Sequence, residues 1–266
     1  MNRQVTVVFL LTFIINLIGT LAYALRIAGV RTRRIAVSLA VFNILLLVSR
    51  TANTFQGPLL AKHIERNILS GPFSNVEHDL RWLLLSATLA TFAGVFLIPT
   101  FQRLFSKTIA SLDTYRSLPR LAVRIFYRSS WRQVRESASL PSRENLAMLR
   151  FAEAPRVILI FNMLATAFLT VGVFSSLYAG YLKPELRVTA NNLSPIINAF
   201  STILLFVFID PYLSFLTDDV VNGKATEARF RSCVFWLASS RLAGTLLAQL
   251  LLVPAAILIV KVAELL

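Results

Sequence analysis

Apolar residues in this chain gather into six long runs separated by polar segments, at about residues 5–25, 35–60, 82–101, 157–181, 194–216 and 230–262. A helix needs roughly 20 consecutive apolar residues to cross about 30 Å of hydrocarbon, and each run meets that length. Pro99, Pro155, Pro184 and Pro195 stand at run boundaries, where they punctuate helix ends. Pro254 falls inside the last run, and a kink is expected there. The pattern predicts an all-α, polytopic integral membrane bundle of about six transmembrane helices. It forms one domain over residues 1–266, with a basic loop at about 102–154 between spans three and four.

The second run breaks the apolar rule. Ile35 to Val48 is apolar, but about 14 residues do not span a bilayer. The helix must continue through Ser49, Arg50, Thr51, Asn53, Thr54 and Gln56 to about Leu60. That carries an arginine and two carboxamides into the hydrocarbon region, where a charge costs about 2.5–3.5 kcal/mol even on insertion scales. Such residues are tolerated facing a bundle interior or a watery cavity, so Arg50 is a functional candidate.

Composition agrees with the pattern. The chain is 56% hydrophobic and 15% charged, against about 45–50% and 25% in soluble domains, and its mean hydropathy is +0.68. Net charge is +14. In a soluble protein that would suggest nucleic acid; here the preference for positive loops on the cytoplasmic side accounts for it without such a partner. The single cysteine, Cys233, excludes an intrachain disulfide and a cysteine metal site, and reads as a small buried hydrophobe. Ala22-Tyr23-Ala24 mimics a signal-peptide cleavage site, but Arg26, Arg31, Arg33 and Arg34 follow at once and oppose translocation, so the first run is expected to stay as a span.

Lysines and arginines divide unevenly between alternate loops. The first, third and fifth loops carry eighteen; the opposite side carries seven; Arg50 and Arg241 lie within spans. The odd loops are therefore expected in the cytoplasm and both termini outside, in a plasma membrane. In the third loop Arg116, Arg120, Arg124, Arg128 and Arg132 recur every four residues, with Tyr127 and Trp131 between them. A helix lying on anionic headgroups and a solvated basic loop both fit this spacing.

Polar residues follow helical spacing inside three spans. Thr12, Asn16, Gly19, Thr20, Tyr23 and Arg26 share a face of the first; Asn43, Arg50, Asn53, Thr54 and Gly57 share one on the second; Arg241, Thr245 and Gln249 share one on the sixth. At 1.5 Å per residue, Arg50 lies roughly 22 Å from the cytoplasmic face and Arg241 about 10–16 Å from it. Asn16 and Asn43 fall near mid-depth, and Arg26 and Arg31 to Arg34 ring the cytoplasmic mouth. On one axis these groups would form a ladder of donors. Against this, Asn16, Asn43, Asn198 and Gln249 can simply link helices, and Arg241 can pair with Asp210 as packing glue. Arg50 has no carboxylate near its depth, and an unpaired arginine in a wet cavity is an anion site in form.

Known catalytic signatures are missing. There is no P-loop, HExxH, Cys/His cluster or GxSxG. His63 and His78 flank the second loop and read as two exposed histidines. With no ATP site, transport would be passive or driven by an ion gradient or membrane potential. No enzyme activity and no cofactor is expected.

The run RIAGVRTRRIAVSLAVFNILLLVSRTANTFQGPLLAK, from Arg26 to Lys62, resembles the Amj family, the bacterial lipid II flippases named as alternates to MurJ. The resemblance extends over the whole chain, including SRLAGTLLAQLLLVPAA from Ser240 to Ala256; VSRTAN and RTRRIAVS are its most specific parts. It implies transbilayer movement of undecaprenyl-pyrophosphate-linked disaccharide peptide for peptidoglycan synthesis. On that reading Arg26, Arg31, Arg33 and Arg34 gather the pyrophosphate at the cytoplasmic mouth. Arg241 and Arg50 are successive counter-charges, with Asp210 beside them, and Asn53, Gln56, Asn16 and Asn43 meet sugar hydroxyls or peptide. A carrier of another anionic lipid or small anion, and a scaffold acting through the basic loop, remain open alternatives.

Overall fold

Each apolar run becomes helical, and every one continues past the stretch that predicts it. The structure, a computed structural model, describes residues 3–69, 76–110 and 154–266. Helices α1 (Arg3–Thr32), α2 (Ile35–Leu69) and α3 (Val76–Ala110) are followed by α4 (Arg156–Leu182). A 3-10 turn (Pro184–Leu186) leads to α5 (Arg187–Asn192), α6 (Ser194–Ile203), a π-helical segment (Leu204–Ile209) and α7 (Asp210–Val221). The last helix is α8 (Glu227–Leu265). Six segments are long and apolar enough to cross a membrane, the fifth running from Pro184 to Val221. The protein is a polytopic helical membrane protein. The arginine-rich stretch from Arg116 to Arg132 lies outside the described residues.

One proline differs from expectation, and another marks an irregular turn. Pro99 does not end the third span but sits within α3, which runs on to Ala110. In hydrocarbon, unwinding a helix would bare more backbone than the one hydrogen bond a proline removes, so the helix continues. The fifth span is not one α-helix. Its turn before Asp210-Pro211 widens, and the Asp210 N–H donates to Leu205 O, five residues back. In an α-register the Pro211 ring would clash with the carbonyl of Val207, and the wider π turn relieves that clash.

The hydrophobic core falls into two clusters. One gathers Leu25, Ile98, Phe105, Leu213, Phe230 and Leu237; the other gathers Val8, Leu60, Leu84, Phe174, Leu252 and Ile259. Between them, at mid-helix, lie buried small and polar residues: Asn16 and Thr20 of α1, Thr91 of α3, Thr166 of α4 and Thr245 of α8. Small residues let the backbones approach there, as apolar lipid requires of packed spans. A Cβ at Gly94 would stand 2.7 Å from Thr20, and one at Gly244 would stand 2.5 Å from Met163 O.

Helix α2 is the peripheral member. It leans on α1 along a narrow seam of Ser38, Val41, Ser49, Gln56 and Leu60, while most of its circumference is exposed. Polar contacts gather at the end of the bundle formed by the starts of α1 and α3 and the far ends of α2, α4 and α8. Arg66 donates to Gln4, Arg81 pairs with Glu77, Lys183 with Glu264 and Arg187 with Glu65. Of the two histidines expected exposed, only His78 is. His63 is buried, because α2 turns it against α3, where Nε2 meets Asp79 Oδ2 at 2.8 Å.

Candidate functional site

The polar stripes of α1 and α8 meet, and α4 joins them. Tyr23 of α1 donates its hydroxyl to Asn162 Oδ1 at 3.1 Å. The Asn162 amide in turn donates to Leu237 O and Ser240 Oγ, both at 2.8 Å. Asn162 is fully buried, so one carboxamide keys three helices at this depth. The next residue of α8, Arg241, lays its guanidinium over Gly19, where a Cβ would sit 2.7 Å from Nη2. The Arg241 Nε is buried and has no hydrogen-bond partner. No carboxylate pairs with Arg241 among the described residues.

One helical turn further along α1, Arg26 Nη2 meets Asp210 Oδ1 at 2.5 Å. The guanidinium carbon also lies 5.3 Å from the centre of the Phe42 ring of α2, a cation–π distance. The Asp210 carboxylate therefore goes to Arg26 and not to Arg241. The reason is the π turn, which sets where α7 aims its first residue. Arg26 takes the one carboxylate, Arg241 pairs with none among the described residues, and the centre keeps a net positive charge.

The second group of predicted residues stands apart. Asn43, Arg50, Asn53 and Thr54 are all exposed on α2, within about one-third of the helix circumference at 100° per residue. Arg50 makes no ion pair among the described residues. No hydrogen bond or ion pair links this face to the Arg241 centre there. Asn16 and Gln56 lie instead in the α1–α2 seam. Gln56 donates to Thr12 Oγ1 at 2.9 Å and Asn16 to Thr12 O at 3.0 Å, so both are committed to packing. Gln249 exchanges bonds with the Arg81 backbone and side chain and links α8 to α3.

At the α1–α2 turn Arg31 and Arg33 are exposed, and Arg34 donates to Ile109 O at 3.3 Å. Arg33 has φ +54° and closes α1 with paired bonds, Arg33 N–H to Val30 O and Arg34 N–H to Gly29 O. This left-handed cap ordinarily holds glycine.

The sequence reading misses Asn162 altogether. Its signal was present: a lone carboxamide within an otherwise apolar stretch, Val157–Phe161 before it and Met163-Leu164 after it. Tyr23 was visible as a member of a polar stripe, but its partner lies on α4, whose own buried stripe of Asn162, Thr166 and Thr170 went unread.

Six spans and an arginine centre at depth, supplied with one carboxylate for two cations, define a polytopic membrane protein with a cationic core. The chain belongs to the Amj family: the family model described as Amj, alternate to MurJ, matches residues 11–263. A relative from Bacillus subtilis (strain 168), named lipid II flippase Amj, is 35% identical over 256 residues, covering 96% of this chain and 95% of the relative. No solved structure matches.

Proposed function

We infer that this chain is a lipid II flippase, moving undecaprenyl-pyrophosphate-linked peptidoglycan precursor from the cytoplasmic to the outer leaflet of the plasma membrane. The observation that carries the mechanism is the open polar face of α2, with Arg50 exposed and in no ion pair among the described residues. A polyprenyl tail can stay in lipid while its headgroup crosses, so the path must open sideways, and the least enclosed span is the natural wall of such a path. A bare ion in low dielectric costs tens of kcal/mol in the Born limit. Fixed donors that replace hydration lower that barrier, and planar guanidinium groups grip diphosphate oxygens in pairs.

Both termini lie outside, and the α1–α2 turn faces the cytoplasm. Arg31, Arg33 and Arg34 gather the diphosphate at that mouth, and Arg26 and Arg241 receive it. Arg50 is the counter-charge nearest the outer leaflet, and Asn43 and Asn53 meet sugar or peptide groups beside it. Anionic lipids are a second partner, drawn by the basic charge of the segment between α3 and α4. The substrate is bound and moved without covalent change.

Reconstitution tests this reading. Purified protein in liposomes carrying fluorescent lipid II should expose it to a membrane-impermeant quencher or modifying enzyme on both faces. Protein-free vesicles should not. No scrambling of lipid II beside scrambling of another anionic lipid would shift the assignment to a different anion carrier.

A further inference from the structure

We propose that Asp210 is an internal stand-in for the substrate's diphosphate, holding Arg26 when the site is empty and yielding it when a lipid diphosphate arrives. The proposal rests on the reading of this chain as a lipid diphosphate carrier and adds how the site is held between cycles.

Four observations support it. The pair is close, Nη2 to Oδ1 at 2.5 Å, yet partly open: the Asp210 side chain is 34% exposed and that of Arg26 14%. An entering anion can therefore reach the guanidinium without unpacking the bundle. Second, the charges around the centre do not balance. The titratable groups there are Arg26 and Tyr23 of α1, Arg241 of α8 and Asp210 itself. Asp210 answers Arg26 alone and Arg241 pairs with no carboxylate among the described residues, so a diphosphate would supply the negative charge that the centre lacks. Third, Arg26 has a second hold. The Phe42 ring at 5.3 Å keeps its guanidinium oriented while its anionic partner changes. Fourth, Asp210 is the residue best placed to withdraw. It opens α7 directly after the π segment Leu204–Ile209, and single π turns concentrate at functional sites. A small adjustment there moves the carboxylate without moving α1.

A purely structural ion pair makes the opposite demand. Removing one partner of such a pair leaves an uncompensated charge and destabilises the fold. A stand-in competes with the ligand, so removing it strengthens binding. A site held by its internal competitor nine-tenths of the time binds about tenfold more weakly than the freed site.

The experiment uses full-length protein in detergent with undecaprenyl diphosphate as probe and undecaprenol as the uncharged control. Asp210→Asn should bind the diphosphate about tenfold more tightly, with undecaprenol binding unchanged. The wild-type protein supplies a second measurement that needs no variant. Mass spectrometry after carbodiimide treatment should show Asp210 modified several-fold faster with saturating undecaprenyl diphosphate, because the carboxylate has been released from Arg26. Unchanged or weaker diphosphate binding in a folded Asp210→Asn protein, or unchanged or slower modification of wild-type Asp210, overturns the proposal. If wild-type protein moves lipid II but shows either of those results, the stand-in fails and the flippase reading stands. If wild-type protein neither moves lipid II nor binds the diphosphate, the flippase reading itself has failed.

Discussion

At the scale of single residues, the arginines sort by whether the fold has given them a partner. Arg26 has Asp210, while Arg241 lies over Gly19 with its Nε unbonded and pairs with no carboxylate among the described residues. Arg241→Ala should therefore abolish flipping while membrane abundance holds or rises, since it removes a charge whose insertion costs about 2.5–3.5 kcal/mol. A fall in abundance on immunoblots would mark Arg241 as structural. Gly19→Ala probes the same contact from the other side. Its Cβ would stand 2.7 Å from the Arg241 Nη2, the far end of a flexible side chain, so the guanidinium shifts and flipping drops with little change in abundance. Arg33 offers a separate test. A non-glycine residue in the left-handed region costs roughly 1–2 kcal/mol, so Arg33→Gly should raise thermal stability while slowing capture of substrate, read as initial flipping rate at low lipid II. That Arg50 and Arg241 lie within spans was legible from the apolar runs around them, whereas Arg26 and Arg31, read as loop residues, fall within the first long helix. Which arginine Asp210 would choose was not legible, because that depends on a π turn in the fifth span that sequence spacing does not reveal.

At the scale of elements, α2 shows where a helical wheel stops informing. It carries two polar faces. Ser38, Ser49 and Gln56 pack on α1, while Asn43, Arg50, Asn53 and Thr54 look outward. Periodicity separates the faces but does not say which is covered, since either would satisfy a neighbouring helix or a wet groove. Gln56 and Asn16 accordingly move from the substrate path into packing, and Arg50 moves from the expected interior to an open flank. Arg50→Ala should reduce flipping at normal abundance, and Arg50→Lys should restore it poorly, because a point charge lacks the planar fork. Normal flipping in Arg50→Ala would remove α2 from the path. Asn162 makes the contrasting case on α4. Asn162→Leu strands the Tyr23 hydroxyl and loses two bonds to α8. Hydrogen bonds between membrane helices average about 0.6 kcal/mol and reach about 1.7, so the variant should lose a small but measurable part of its stability, seen as earlier thermal unfolding in detergent. The number of spans was legible, because about 20 apolar residues leave few alternatives. The break in the fifth span and the passage of α3 through Pro99 were not, because both are settled by what surrounds the helix.

At the scale of the molecule, the two ends differ in how their cations are answered. At the end holding the start of α1, Arg81, Lys183 and Arg187 each meet a carboxylate. At the other end Arg31, Arg33, Arg103, Arg156, Arg229 and Arg231 make no ion pair among the described residues. Exposed pairs are worth about 0–1 kcal/mol each, so the asymmetry matters for charge more than for stability. One end is largely neutral and the other is left cationic. A cationic end resists translocation and draws anionic headgroups, so it is expected on the cytoplasmic side, where the proposed path first catches the diphosphate. The sidedness follows as a prediction that single cysteines can check in a Cys233→Ala background. Val188 and Asn222 are exposed at opposite ends of the fifth span. Val188→Cys should react with an impermeant thiol reagent in intact cells, and Asn222→Cys only after the membrane is permeabilised. The reverse pattern would turn the bundle over. The unpaired arginines would then face outward, the capture site would lie on the wrong side for a precursor made in the cytoplasm, and the path drawn along α2 would have to run in the opposite direction.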